Sequence, residues 1–314
     1  MTTSEMLCSP RAAASKFAPT ARKVCDSTSK FLTRFWLKAL VAGLALLLII
    51  ANLNLSSLLA SLKIANWRHT SLALILLVPN LLIQGLKWHY LLTRIHPQMR
   101  FATSMKSLLV GYPLGWITPG RLGEIGRGLI ITSLPPELTI KLAILDKITN
   151  LGVNLLAGLA GLLLFPINLE SEVKAAGLIL SAVLLATCTH PKLKIKLRTQ
   201  FNISGQNYAT LLTLSFFFYA IFLTQFLLLV LTFENINLIT GASAAASVFL
   251  VKTLLPIAVA DLGIREGAAV FFFGKIGVSS AAAFNASLLL FIINLVLPTI
   301  VGIYFLLKKE GRAY

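Results

Sequence analysis

Arg121, Glu124 and Arg127 stand three residues apart in the run GYPLGWITPGRLGEIGRGLI, Gly111 to Ile130. On a helix that spacing puts the carboxylate between guanidinium groups on adjacent turns. A guanidinium offers paired donors to phosphate or carboxylate oxygen, and a glutamate beside it can hold it in place or take a cationic group. A second stretch, LPIAVADLGIREGAAV, repeats the order: Pro256, a turn with Gly263, then a helix start carrying Arg265 and Glu266, with Asp261 four residues before Arg265. A third, LDKITNLGVN, sets Asp146, Asn150 and Asn154 on one helical face with Lys147 beside them, and Lys252 precedes the second break. Gly120, Gly123 and Gly126 recur every third residue and leave one face bare, while Gly263 and Gly267 make a G-x-x-x-G step with the same use, close approach of a neighbouring backbone.

These charges are set in an apolar chain. Of 314 residues, 57% are hydrophobic and 12% charged, and the mean hydropathy is +0.83. Several apolar runs reach the length of about 20 residues that crosses a bilayer, so the chain reads as an all-α polytopic membrane protein. The net charge of +17 collects at the ends of those runs, as topology signals facing anionic lipid, and implies no nucleic-acid partner. Cys8, Cys25 and Cys188 form no close pair, and His69, His89, His96 and His190 are scattered without an H-E-x-x-H. The stretch Gly267–Lys275 has the wrong spacing for a phosphate-binding loop, and no G-x-S-x-G occurs. No metal, cofactor or soluble-type catalytic residue is expected. A membrane-embedded transferase would have only isolated carboxylates, Glu124 or Asp146, as its base.

Spans are expected at Trp36–Leu53, Ser71–Leu92, Ile140–Phe165, Val173–Thr189, Tyr208–Phe233 and Phe284–Leu307. Ser56–His69 reads as an interfacial stretch, and Lys87, Trp88, His89 and Tyr90 as an interfacial belt. Residues 104–133 and 239–277 are broken by proline and glycine into pieces too short for an ordinary crossing. Basic residues before the first span, after the second and fourth, and at the C-terminus put both termini in the cytoplasm, with Lys63 and Arg68 in mild conflict outside. Six full spans then require each broken segment to return to the side it entered, as a re-entrant helical hairpin; eight spans result if each crosses. Both halves read span, span, hairpin, span with every direction reversed, which is an inverted-topology repeat. Residues 1–35 are expected to be a disordered basic cytosolic extension, residues 36–308 the membrane domain and residues 309–314 a short cytosolic tail; a transit peptide shares the composition of the first segment.

A charge at the bilayer centre costs about 2.5–3.5 kcal/mol on insertion scales, so the hairpin charges must pair with one another or line a wet cavity. Pairing alone would brace the hairpins; a cavity would receive an anionic headgroup at the half-helix ends.

The runs PGRLGEIGRG, LPIAVADLGIREGAA, LDKITN and LKWHYLL together resemble the lysylphosphatidylglycerol synthase transmembrane-region family, a flippase-like domain, from about residue 36 to 308. The resemblance implies a transporter that moves a phospholipid or lipid-linked substrate between leaflets of the cell (plasma or inner) membrane. It carries site roles onto Arg121, Glu124, Arg127, Asp146, Lys147, Arg265 and Glu266; Asn150 joins them from its place on the Asp146 face. The chain departs from the family pattern at Val259-Ala260-Asp261, where a glycine-rich approach is usual. The fused synthase domain of some members is not expected, so lysyl transfer is not encoded. Expected partners are membrane lipids, anionic phospholipid or a lipid-linked substrate. The other reading is a non-transporting membrane partner of a separate lipid-modifying or glycosyl-transferring enzyme.

Overall fold

The structure, a computed structural model, describes residues 65–116, 118, 121–166, 205–255 and 262–307, with isolated positions between 60 and 63 and between 175 and 183. The described residues form helices and no strand: α1 (Trp67–Ile75), α2 (Leu77–Thr93), α3 (Phe101–Trp116), a 3₁₀ segment (Leu122–Ile130), α4 (Pro136–Leu163), α5 (Gly205–Leu231), α6 (Leu238–Leu254), α7 (Ile264–Lys275), α8 (Ser280–Phe291), a π-helical segment (Ile292–Val296) and α9 (Leu297–Leu307).

Four helical stretches are long and apolar enough to cross a membrane: Trp67–Thr93, Pro136–Leu163, Asn207–Leu231 and Ser280–Leu307. The chain is an integral membrane protein, and these four coincide with four of the expected spans. The expected spans Trp36–Leu53 and Val173–Thr189 lie mostly or wholly outside the described residues, as do residues 1–35, the tail 309–314, Pro119, Gly120, Pro256 and Asp261. Helix starts come earlier than hydropathy places them, because capping groups precede the apolar run. Asn66 Oδ1 accepts from Arg68 N at 3.3 Å, so Trp67–His69 belong to the span rather than to an interfacial stretch. Ser279 Oγ accepts from Ala282 N at 3.3 Å and starts α8 four residues before Phe284. The break between α1 and α2 falls just before Pro79, which has no N–H for the carbonyl of Ile75.

Residues 104–133 fold back on themselves. Ser107 Oγ donates to Arg127 O at 2.8 Å, a Cβ on Gly111 would lie 3.1 Å from Arg127 Cβ, and one on Gly115 would lie 2.6 Å from Glu124 Cγ. Partners descend along one arm as they rise along the other, so the arms are antiparallel. The returning arm is a 3₁₀ segment, where an α-helical start was expected. In the second hairpin α6 and α7 pack together, and Phe249 and Phe273 both rest on Phe226, at ring centroid distances of 5.5 and 5.3 Å.

The halves exchange partners. A Cβ on Gly158 of α4 would meet Leu250 Cβ at 2.7 Å and one on Gly161 would meet Ala246 Cβ at 2.5 Å, so α4 runs antiparallel to α6. Reciprocally, Gly302 of α9 lies against the Leu109 carbonyl and Lys106 Nζ lies 6.0 Å from the Phe305 ring, so α9 runs antiparallel to α3. The closing span of each half thus packs on the opening arm of the other half's hairpin. Between them α2 and α5, which hold the same place in each half, are antiparallel: Asn66 N donates to Thr232 O at 2.7 Å, Gln225 Nε2 to Ala73 O at 2.9 Å and Tyr90 OH to Asn207 Oδ1 at 2.9 Å. Equivalent helices that run in opposite directions are the geometry of an inverted repeat.

Candidate functional site

Local backbone geometry sets the first site. Arg121 takes a left-handed conformation, φ 55° and ψ 33°, at the start of the 3₁₀ segment. Such a residue costs about 1–3 kcal/mol and persists only where its surroundings hold it. Here Lys147 Nζ donates to Arg121 O at 2.7 Å, and the Arg121 guanidinium pairs with Glu124 and lies 5.3 Å from the Tyr112 ring centre. With three residues per turn, Arg121, Glu124 and Arg127 line up on one edge. Glu124 does not sit between the two arginines as the spacing suggested. It contacts Arg121 and, at 3.5 Å, Lys147 Nζ, while Arg127 turns inward and its Nη2 donates to Asp146 Oδ2 at 2.7 Å. The small residues make room: a side chain at Gly123 would strike the Leu114 carbonyl, and one at Gly128 would lie 2.5 Å from Thr139 Cβ.

Asp146 is the centre of the inner group. Its Oδ1 faces Lys87 Nζ at 2.9 Å, and the same ammonium donates to Asn150 Oδ1 at 2.7 Å and to the Asp146 carbonyl at 3.2 Å. Lys87 and Trp88 are therefore buried inside the bundle, and the interfacial-belt reading is corrected for both. The Trp88 ring lies 4.0 Å from Arg127 Cζ, and its Nε1 donates at 3.2 Å to Ser107 Oγ, which itself donates to Arg127 O. His89 Nδ1 bonds Ser104 Oγ at 3.0 Å. The signal that would have found Lys87 is a polar row on one face of an apolar span: Asn80, Gln84 and Lys87 fall at i, i+4 and i+7. The rest of that row also turns inward, Gln84 Nε2 donating to Asn80 Oδ1 at 2.8 Å and Asn80 Nδ2 to Gln225 Oε1 at 3.4 Å.

Exposure divides the cluster in two. The side chains of Lys87, Arg127 and Asp146 are 2%, 7% and 10% exposed, while those of Arg121, Glu124 and Lys147 are 23%, 20% and 29% exposed. The first three form a floor and the second three a rim.

Arg265 and Glu266 form a separate, closed pair. Arg265 Nη2 meets Glu266 Oε1 at 2.5 Å, Arg265 Nε donates to Ser287 Oγ at 2.9 Å, and Ser287 Oγ donates to Glu266 Oε1 at 3.1 Å. Gly263 N donates to Glu266 Oε2 at 2.8 Å, so the carboxylate also caps α7 at its positive end. Gly263 has φ 86°, which a residue with a side chain rarely adopts, so its glycine serves the turn. The two sites approach through aromatic rings: Arg265 Cζ lies 5.5 Å from the Phe291 ring centre, and Phe291 meets Trp116 edge-on at 6.2 Å. Leu262, before α7, packs into the apolar cluster that holds Trp88, Tyr112 and Phe291. Of the expected site residues, Arg121, Glu124 and Arg127 of the first hairpin come together with Asp146, Lys147 and Asn150 of α4, and Arg265 and Glu266 stand beyond the rings. Among the described residues no three His, Cys, Asp or Glu side chains are grouped to hold a metal ion.

Residues 35–302 match the family described as the lysylphosphatidylglycerol synthase TM region. The chain belongs to that family. The match contains both hairpins, three of the four described spans, the fourth up to residue 302, and every site residue, so this lysylphosphatidylglycerol synthase TM region carries its charged cluster inside the family's own boundaries. No curated protein matches the sequence.

Proposed function

We propose that this chain is a flippase-like transporter that moves a phospholipid or lipid-linked substrate between leaflets, with Arg121, Glu124 and Lys147 receiving the headgroup. The observation that carries the reading is the surroundings of the rim. Leu122, Leu129 and Ile130 are exposed on the same short hairpin as the half-buried charges. In a membrane those apolar side chains meet acyl chains, so the rim opens sideways toward lipid and can take a headgroup while the tails stay outside. Family membership and the inverted repeat support the same reading, since paired broken helices at matching places mark a binding site in many transporters. Arg121 supplies a planar two-pronged donor, Lys147 a second cation, and Glu124 orients both.

The test is lipid movement in liposomes that contain the purified protein. The Glu124→Gln, Arg121→Lys double variant should lose most of it while expression and melting stay near wild type. Full movement by a well-folded double variant would remove the rim from the mechanism. Loss of movement strictly in step with loss of stability would favour bracing over binding.

The proposed orientation has both termini in the cytoplasm. In a background without Cys8, Cys25 and Cys188, cysteines placed at Phe101 and Ser133, exposed on either side of the first hairpin, should label from the cytoplasmic face. Cysteines at Leu238 and Lys275, flanking the second, should label from outside. Labelling from opposite faces within either pair would mean that the hairpin crosses.

A further inference from the structure

The floor of the first hairpin carries more positive charge than its own carboxylate answers. Three acceptors surround Lys87 Nζ, Asp146 Oδ1, the Asp146 carbonyl and Asn150 Oδ1, which is the number an ammonium group can serve. Arg127 contributes a guanidinium group to the same place. Asp146 alone faces both, one oxygen to each cation, and no other carboxylate among the described residues is within ion-pairing distance of either. Two cations and one anion therefore share a place where each side chain is about nine-tenths buried or more. Moreover, the Nε of Arg127 is buried and has no hydrogen-bond partner. The guanidinium cannot turn to find one. The Trp88 ring covers its face, Asp146 holds its Nη2, and the Trp88–Ser107–Arg127 carbonyl chain fixes ring and backbone together.

We infer that the Lys87–Arg127–Asp146 floor is a subsite for one anionic oxygen of a phosphate group, admitted when the Arg121–Glu124–Lys147 rim parts. A singly charged oxyanion would balance the cluster and give the Arg127 Nε–H its acceptor, a charge-assisted bond in a poorly solvated place. Lys87 then acts as a positioning residue. It holds Asp146 away from full neutralisation of Arg127 and so keeps a unit of positive charge available to the ligand. The rim alone would select headgroups loosely; the floor makes the phosphate, rather than the sugar, amine or glycerol attached to it, the recognised group. This deepens the proposed function and rests on its reading that a headgroup comes to this hairpin.

The experiment follows the melting of the purified full chain in dodecyl maltoside, an uncharged detergent, with four additions: phosphatidylglycerol, diacylglycerol, inorganic phosphate, and sodium chloride at matched ionic strength. Phosphatidylglycerol should raise the melting temperature saturably, while diacylglycerol and chloride should not. Lys87→Met leaves a neutral Arg127–Asp146 pair, so the apparent affinity for phosphatidylglycerol should fall by at least about tenfold, the worth of one charge-assisted contact. Asp146→Asn leaves two cations, so its melting should start lower and recover more on phosphatidylglycerol than that of wild type. Opposite responses in the two variants are the signature of a charge-balanced subsite. A floor that only braces the fold would lower both starting points and leave the lipid response of both unchanged, and that result would overturn the inference. An equal rise with inorganic phosphate would keep the oxyanion subsite and assign it to free phosphate rather than a headgroup. No rise with either phosphate source would end it. Binding intact in detergent without lipid movement in liposomes would sink the transport reading and leave the subsite standing.

Discussion

Asp146→Asn should destabilise the protein by about 3–5 kcal/mol, the cost of stranding buried charge when one partner of a buried pair is removed. Asn keeps the size and shape of Asp, so packing is preserved and the effect isolates the charge. Arg127 would keep its contact with the Trp88 ring, but a desolvated cation–π contact is worth about 2 kcal/mol and cannot hold two cations. Unfolding followed by tryptophan fluorescence in lipid-free detergent measures the loss. The second arm is a double variant. If the loss is electrostatic, adding Lys87→Met to Asp146→Asn should recover part of it, because one of the two stranded cations is gone. Additive or worse behaviour in the double variant would show that the cluster is held by shape and hydrogen bonds, and an unchanged melting curve for Asp146→Asn would show that it is wet.

Gly302→Ala should cost about 1–3 kcal/mol by overpacking and should also impair transport. A Cβ at Gly302 would run into the Leu109 carbonyl and lie 2.8 Å from Pro113 Cδ, so α9 and α3 must separate to admit it. Backbone and a proline ring form that contact, and neither can turn aside as a flexible side chain would. Because α3 carries the returning 3₁₀ arm, the shift passes to Arg121, Glu124 and Arg127. Gly274→Ala supplies the control. That glycine is also helical, but nothing lies within 4 Å of its added Cβ, so the change should be neutral or stabilising by up to about 1 kcal/mol. Equal losses from both substitutions would mean that the α3–α9 contact is looser than drawn, and the reciprocal pairing of the halves would lose its main support.

Hydropathy placed the four described spans because burial in lipid demands long apolar runs whatever the tertiary arrangement, and it placed the two breaks because proline and glycine act locally. Charge placement marked both hairpins for a similar reason: Arg121, Glu124, Arg127, Arg265 and Glu266 are too costly in lipid to stand there without partners, and each is paired. The face shared by Asp146 and Asn150 followed from the helical period, and both indeed meet one ammonium, that of Lys87.

What spacing could not decide was which partner each charge takes. Along the sequence, Arg127 and Arg121 are equally near Glu124, and an α-helical period makes them equivalent. The fold separates them, because the arm is a 3₁₀ segment pressed on α3 by glycines and α4 brings Asp146 to one side only. Lys87 was misread for the same kind of reason. Beside Trp88, His89 and Tyr90 near the end of a span it has the composition of a membrane-interface anchor, and only the packing of α2 against α4 shows its ammonium enclosed. Local chemistry is a property of residue type and neighbours in sequence, so the sequence by itself determined the class of protein, the four described spans and the charged hairpins. Pairing among four cations and two carboxylates is a competition settled by distance across helices, so the division into a buried floor and a half-exposed rim belongs to the tertiary structure alone.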